Sequence, residues 1–290
     1  MTQIVADDKI RDAPRGVLRM LWGWMLPALF AFYVVIGLLG SLIAPMDPSE
    51  VDLRARYVKP LTSAAHILGT DQIGRDILSR TLTGASLSLS LTAIVIACAS
   101  AFGLLIGMIA GFSGGSVDAA LMRFVDATLA LPGILLALLL VAILSPGFWS
   151  VALALVLVDW ARYARFVRGE VLSLRNREYV DAAIISGVNT GVILWRHFLP
   201  NILNSVVVLL TLDIGRIILL ESSLAFLGLG MPPDQGAWGS TIAEGKSYLQ
   251  FAPWISLIPA AAMMITILLA NTFGNWLSDR LDPRLRAAGT

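Results

Sequence analysis

EYVDAAIISGVNTGVILWRHFLPN, residues 178–201, is the stretch on which the reading of this chain turns. Both flanks are strongly apolar, and this segment is not. A basic run leads into it: Arg162, Arg165, Arg168, Arg175 and Arg177. Its pattern predicts two short helical pieces, 179–186 and 190–198. Gly187 and Asn189 make the bend between them, because both tolerate backbone angles that β-branched residues resist. Pro200 is expected to close the unit, since proline has no amide hydrogen and disfavours helix in the residue before it. A polar helix-turn-helix held between hydrophobic spans is a place where another protein can push on a membrane protein.

The composition explains the flanks. Of 290 residues, 57% are hydrophobic and only 14% charged. A soluble domain carries nearer a quarter charged residues, so lipid is this chain's solvent. The net charge of +1 gives no basis for a polyanionic partner, and no nucleic acid is expected. Cys98 is the lone cysteine, which excludes a disulfide within the chain. His66 and His197 are too few and too far apart for a metal cluster, so no metal ligands are assigned.

Six apolar runs are long enough to be spans, at roughly 20 helical residues per bilayer core of about 30 Å. A polar, basic tail (1–20) precedes the first, 21–44, which is too long for a signal-peptide core and is taken as a retained span. A polar connector follows (45–85). The second span is 86–111, with Gly103, Gly107 and Gly111 at four-residue intervals. That small-residue face suits close helix packing, the plain reading, or a groove for a solute. The third span is 119–145. The fourth, 148–166, is the weakest because Asp159 and Arg162 fall inside it. The segment 167–201 separates it from the fifth span, 202–220. A Gly- and Pro-rich connector (221–253), the sixth span (254–273) and a tail (274–290) complete the chain. Continuous rather than alternating apolar runs point to helices and away from a membrane barrel.

Lysine and arginine give the orientation. With the N-terminus inside, cytoplasmic segments hold four, one, six and three of them, against five and one outside; Arg216 lies within a span. Both termini and the 167–201 segment are therefore expected in the cytoplasm.

A transporter needs an energy source. Gly245-Lys246-Ser247 resembles the end of a phosphate-binding loop, but Ser240 stands where the motif needs glycine and no strand precedes it. If ATP drives this protein, another chain binds it. Charges inside spans are the next candidates, each costing roughly 2.5–3.5 kcal/mol on insertion scales unless paired or wet. Asp213 and Arg216, three apart on one helix face, are expected to pair with each other, and Asp159 with Arg162 repeats the spacing. No arrangement of side chains suggests nucleophilic catalysis or a proton relay, so the chain is not read as an enzyme.

The 178–201 stretch also carries a resemblance. Asp181-Ala182-Ala183, Gly187 and Leu199-Pro200 are similar to the EAA motif of ABC importer permeases, with Asp181 where the usual form has Glu. Three further stretches narrow the likeness to the dipeptide/oligopeptide/nickel branch, and within it to the second, C-type permease. They are 66–80, with Asp71, Gly74, Arg75 and Asp76; 221–239, beginning at Glu221; and 279–286, with Leu281-Asp282-Pro283-Arg284. For 66–80 the plain alternative is an external helix capped by Thr70 or Asp71.

The resemblance implies an all-α integral membrane protein with the type I importer permease fold: six transmembrane helices and a cytoplasmic coupling loop. It implies a homologous second permease, two cytoplasmic ABC ATPases that bind ATP and Mg, an external solute-binding protein, and a bacterial inner membrane. This chain itself would bind no cofactor. Asp181, Ala182, Ala183, Gly187, Leu199 and Pro200 would couple to the ATPase, Ala182 and Ala183 seating together in a cleft upon it. Asp71, Gly74, Arg75, Asp76 and Glu221 would lie in external loops, as candidate contacts for a binding protein or partner permease. Peptides are the expected cargo, with nickel, opines, glutathione and sugars as alternatives within the branch. A stand-alone secondary transporter is the competing class, but no internal inverted repeat supports it.

Overall fold

Helices built from the apolar runs dominate the computed structural model, which describes residues 13–281 and, apart from Ile184, the side chains from Met25 onward. In order they are α1 (Ala13–Leu38), α2 (Gly40–Ile43), α3 (Ile77–Ser113), α4 (Gly115–Ala130), α5 (Gly133–Leu144), α6 (Phe148–Arg175), α7 (Glu178–Ile185) and α8 (Thr190–Val192). A π-helical turn, Ile193–Phe198, joins α8 to α9 (Leu199–Phe226); α10 (Trp238–Gly245) and α11 (Trp254–Leu281) follow. Among the described residues the sole β feature is an isolated bridge between Thr70 and Asp76. Residues 1–12 and the Asp282-Pro283-Arg284 part of the C-terminal motif lie outside the described residues.

Three helical stretches are long and apolar enough to cross a membrane: Ile77–Ser113, Thr190–Phe226 and Trp254–Leu281. A fourth is added if α4 and α5 are one broken span, bent by 86°. The third run is thus not the single helix expected over 119–145. Pro132 removes an amide donor and pushes Leu131 to an extended conformation (φ −85°, ψ 135°), which ends α4.

Other boundaries move for local reasons. The second helix begins at Ile77 rather than at 86, because Asp76 caps it, accepting from the Ser79 amide at 2.7 Å. The cap is therefore neither Thr70 nor Asp71. The fourth helix runs on to Arg175 and the sixth to Leu281, well past the apolar runs at 166 and 273.

Pro200 does not close the 178–201 segment. It occupies the first turn of α9, and the chain is helical without a break from Thr190 to Phe226. The π turn upstream explains this. The Leu199 amide reaches back five residues to the Leu194 carbonyl, so the widened turn absorbs the donor that Pro200 lacks. Asn201 Nδ2 donates to the His197 carbonyl at 2.5 Å and satisfies another acceptor there.

The centre of the bundle is the α3–α6 contact. A Cβ added at Gly103 would lie 2.5 Å from the Tyr163 Cβ, and one at Gly107 would lie 2.5 Å from the Ala164 carbonyl. Gly111 meets Val171 in the same way, at 2.8 Å. The glycine face of α3 therefore packs backbone to backbone with α6. Ala99, Trp160, Ala161, Tyr163 and Ala164 form one buried cluster beside this contact.

Candidate functional site

The α7 helix is short and amphipathic, and the two sides of it do different things. Val180 is fully buried, and Ala183 packs with it against a cluster that includes Met108, Val171, Phe198 and Ile202. Asp181 and Ala182 are exposed, and Ile185 is 86% exposed. The two alanines expected to dock together are thus separated. Ala182 faces outward, while Ala183 anchors α7 to the ends of α3, α6 and α9.

Gly187 ends α7 at φ +74°, a left-handed conformation that costs a side chain roughly 1–2 kcal/mol. A Cβ there would meet nothing within 4 Å, so backbone angle and not space requires glycine. The Val188 amide donates to the Ala183 carbonyl at 3.1 Å and the Ser186 amide to the Ala182 carbonyl at 3.0 Å, closing the helix end. Asn189 then caps α8, accepting from the Gly191 amide at 2.8 Å. Leu199 joins the cluster under α7, and Pro200 is exposed beside it. The result is an exposed helix, an abrupt bend, and a second arm that is the start of the 37-residue helix Thr190–Phe226.

About midway along α9 lies a second group. Asp213 Oδ1 accepts from Arg216 Nε at 2.9 Å, which is the pair expected within the helix. It also accepts from Arg162 Nη1 of α6 at 3.0 Å, and Arg216 Nη2 lies 3.0 Å from Asp159 Oδ2. Arg162 therefore pairs across the helices rather than with Asp159. The two i, i+3 spacings are compatible with either pairing, and only the juxtaposition of α6 and α9 selects the crossed one. Closer to the 178–201 segment, Arg168 grips both oxygens of Asp118 (2.5 and 2.6 Å), and Arg165 pairs with Asp126.

The charged residues of the 66–80 stretch are buried, although Ile67 at its start is exposed. Asp71, Arg75 and Asp76 keep 1%, 5% and 3% of their surface. Asp71 accepts from the Ile73 and Arg75 amides and from Arg75 Nε at 2.5 Å. Arg75 and Arg80 both donate to Glu244 Oε2 at 2.8 Å, which ties this segment to α10. Burial pulls the Arg75 guanidinium down, but the Asp71 and Glu244 carboxylates outweigh it and hold it above its ordinary value. Gly74, at φ +86°, turns the loop where a Cβ would lie 1.8 Å from the Asp52 carbonyl oxygen. These residues hold two connectors together, and their burial leaves little for a partner to touch. Two of the five basic residues of the first connector are thus paired internally.

Glu221 is not in a connector at all. It sits within α9, fully buried, accepting from Ser88 of α3 at 3.2 Å and from Ser222 at 3.3 Å. Gly245-Lys246-Ser247 leads out of α10 into a 3₁₀ turn, with Lys246 Nζ 4.6 Å from the Phe226 ring centroid. No cradle of amides forms there. Arg80 lies in the 66–80 stretch that carries the resemblance, but its pairing with Glu244, 164 residues away, leaves no local pattern in the sequence.

The described residues make an all-helical membrane protein in which an exposed short helix, α7, bends into a long apolar one. Comparison with known proteins narrows this. Residues 103–287 match the family of binding-protein-dependent transport system inner membrane components, and the chain belongs to that family. It is 37% identical over 269 residues to the probable D,D-dipeptide transport system permease DdpC of Escherichia coli K12, covering 91% of this chain and 90% of that one. It is 33% identical to the dipeptide transport system permease DppC of Haemophilus influenzae, covering 97% of this chain and all of that one. The oligopeptide transport system permease OppC of Bacillus subtilis is 36% identical, over 87% of this chain and 84% of its own.

Proposed function

We propose that this chain is the C-type transmembrane subunit of an ATP-driven importer of dipeptides or oligopeptides. In this reading it forms half of the solute pathway beside a homologous second permease. A solute-binding protein delivers the peptide outside, and two cytoplasmic ATPases bind and hydrolyse ATP. All six apolar runs cross the membrane and both termini lie in the cytoplasm, as the distribution of basic residues supports.

The observation that carries the reading is the construction of α7. A helix whose outer side offers Ala182 and Ile185, with Asp181 at its edge, suits a shallow cleft containing a basic group. Closure of the ATPases would displace α7, and the fused Thr190–Phe226 helix would carry that displacement into the bundle. The peptide cargo rests on the relatives, each a peptide permease by name.

The test is uptake of a labelled dipeptide into proteoliposomes holding the assembled transporter with its binding protein and internal ATP. ATP-dependent uptake that Ala182→Asp abolishes, with the complex still intact, is the expected result. Uptake by this chain without ATP or ATPases would overturn the proposal.

A further inference from the structure

One side of α9 has cavities at both ends. Nearer the 178–201 segment, a cavity of about 490 Å³ is bordered by Glu170, Asn201, Ser205, Leu212 and Ser278. Toward the other end, one of about 360 Å³ is bordered by Leu219, Ser223 and Met263. Leu212 and Leu219 are seven residues apart, two helical turns, and so lie on one side of α9. Arg216 is on the turn between them. Around the helix, Val207 and Leu210 line a different groove, bounded by α1 and α3 and overwhelmingly apolar. One flank of α9 thus suits lipid, whereas on the other Arg216 lies in the chain between two cavities, the one nearer the 178–201 segment with a mixed polar and apolar border and the other mainly apolar.

The charge cluster at Arg216 has a directional chemistry. The carboxylates of Asp159 and Asp213 keep 1% and 5% of their side-chain surface, whereas Arg216 and Arg162 keep 31% and 38%. The cluster is neutral in sum, but the acids lie inside and the guanidiniums are what a passing molecule meets. Asp213, bonded to both arginines, holds them side by side.

We propose that Arg162 and Arg216 form a station for anionic groups midway along the solute path, taking the carboxylate of the transported molecule. The recognition is by guanidinium forks, which suit carboxylate in geometry and charge. The buried aspartates are positioning residues: they engage Arg216 Nε and Nη2 and Arg162 Nη1, which leaves the remaining guanidinium nitrogens, chiefly those of the more exposed Arg162, for the solute. This rests on the import reading above, and it adds where on this chain the solute is met and by which of its groups.

The assembled transporter tests it, with Cys98→Ser as background because Cys98 is exposed. Leu212→Cys and Leu219→Cys are reacted with sulfonatoethyl and trimethylammonioethyl methanethiosulfonate, one anionic and one cationic. Relative to a free thiol, the anionic reagent is favoured about tenfold at both positions, as a site focusing positive potential would give. Arg162→Gln, which leaves the Arg216 contacts in place, brings the ratio near one, and Arg162→Lys restores most of it. Val207→Cys shows no such preference. Equal rates for the two reagents, or a ratio unchanged by Arg162→Gln, would overturn the station. In a transporter shown to import dialanine, that peptide slows labelling under turnover and inorganic phosphate at equal concentration does not. Equal protection by phosphate, or protection by neither, would overturn the assignment to the solute. The reagent ratio needs no solute, so a failure of dipeptide uptake counts against the import reading alone.

Discussion

Arg162 and Asp213 lie 51 residues apart and meet at 3.0 Å across the α6–α9 interface, on the same carboxylate oxygen that accepts from Arg216. One acid therefore orients two bases, and one of those bases also faces Asp159. The cluster is a chain of four charges, not two separate pairs.

Its order dictates how variants combine. Asp213→Ala leaves both guanidiniums short of a partner and is expected to cost about 3 kcal/mol. Adding Arg162→Ala recovers part of this, because it removes a base that Asp213 alone was holding by ion pair. Adding Arg216→Ala recovers nothing, since it strips the fully buried Asp159. Thermal unfolding of the detergent-purified protein reads the difference. Recovery with Arg216→Ala and not with Arg162→Ala would contradict the crossed pairing.

Gly187→Val is expected to insert normally and lose most of its coupling. The strain comes from φ +74° and not from crowding, so the size of the new side chain matters less than its branching. Asn enters the left-handed region more readily, and Gly187→Asn should retain more coupling than Gly187→Val. Binding-protein-stimulated ATPase activity of the assembled transporter measures this. Ala183→Asp, in contrast, places charge against Val180 and Phe198 and should lower the amount of folded protein rather than coupling alone.

Glu244 bridges Arg75 and Arg80, and Arg80 has no exposed surface. Glu244→Gln should therefore destabilise the joined connectors by about 2–3 kcal/mol, leaving Arg80 with the Thr241 hydroxyl at 3.1 Å. The same thermal measurement applies, and an unchanged midpoint would mean the bridge is dispensable.

What could be foreseen in the sequence was local. Apolar runs located the long helices, Gly187 and Asn189 located the bend, and the glycines of α3 announced a close helix contact. The bend at Pro132 was legible too, from the same rule applied to Pro200, yet the strong hydropathy of the run masked it. Pro200 misled because a π turn, invisible in any short pattern, makes room for it. Ala182 and Ala183 look equivalent in the chain; only the cluster beneath α7 tells them apart. The crossed charge pairs depend on which side α6 turns toward α9, a choice made by packing that no spacing encodes.

On the proposed function, the outer side of α7 meets a driving partner. Single cysteines at Ala182, Ile185 and Val180, in the Cys98→Ser background, can be cross-linked in membranes containing the assembled transporter. Adducts between the ATPase subunit and the cysteines at 182 and 185, with none from the buried position 180, are the predicted result. Absence of any ATPase adduct at 182 and 185 would contradict the account.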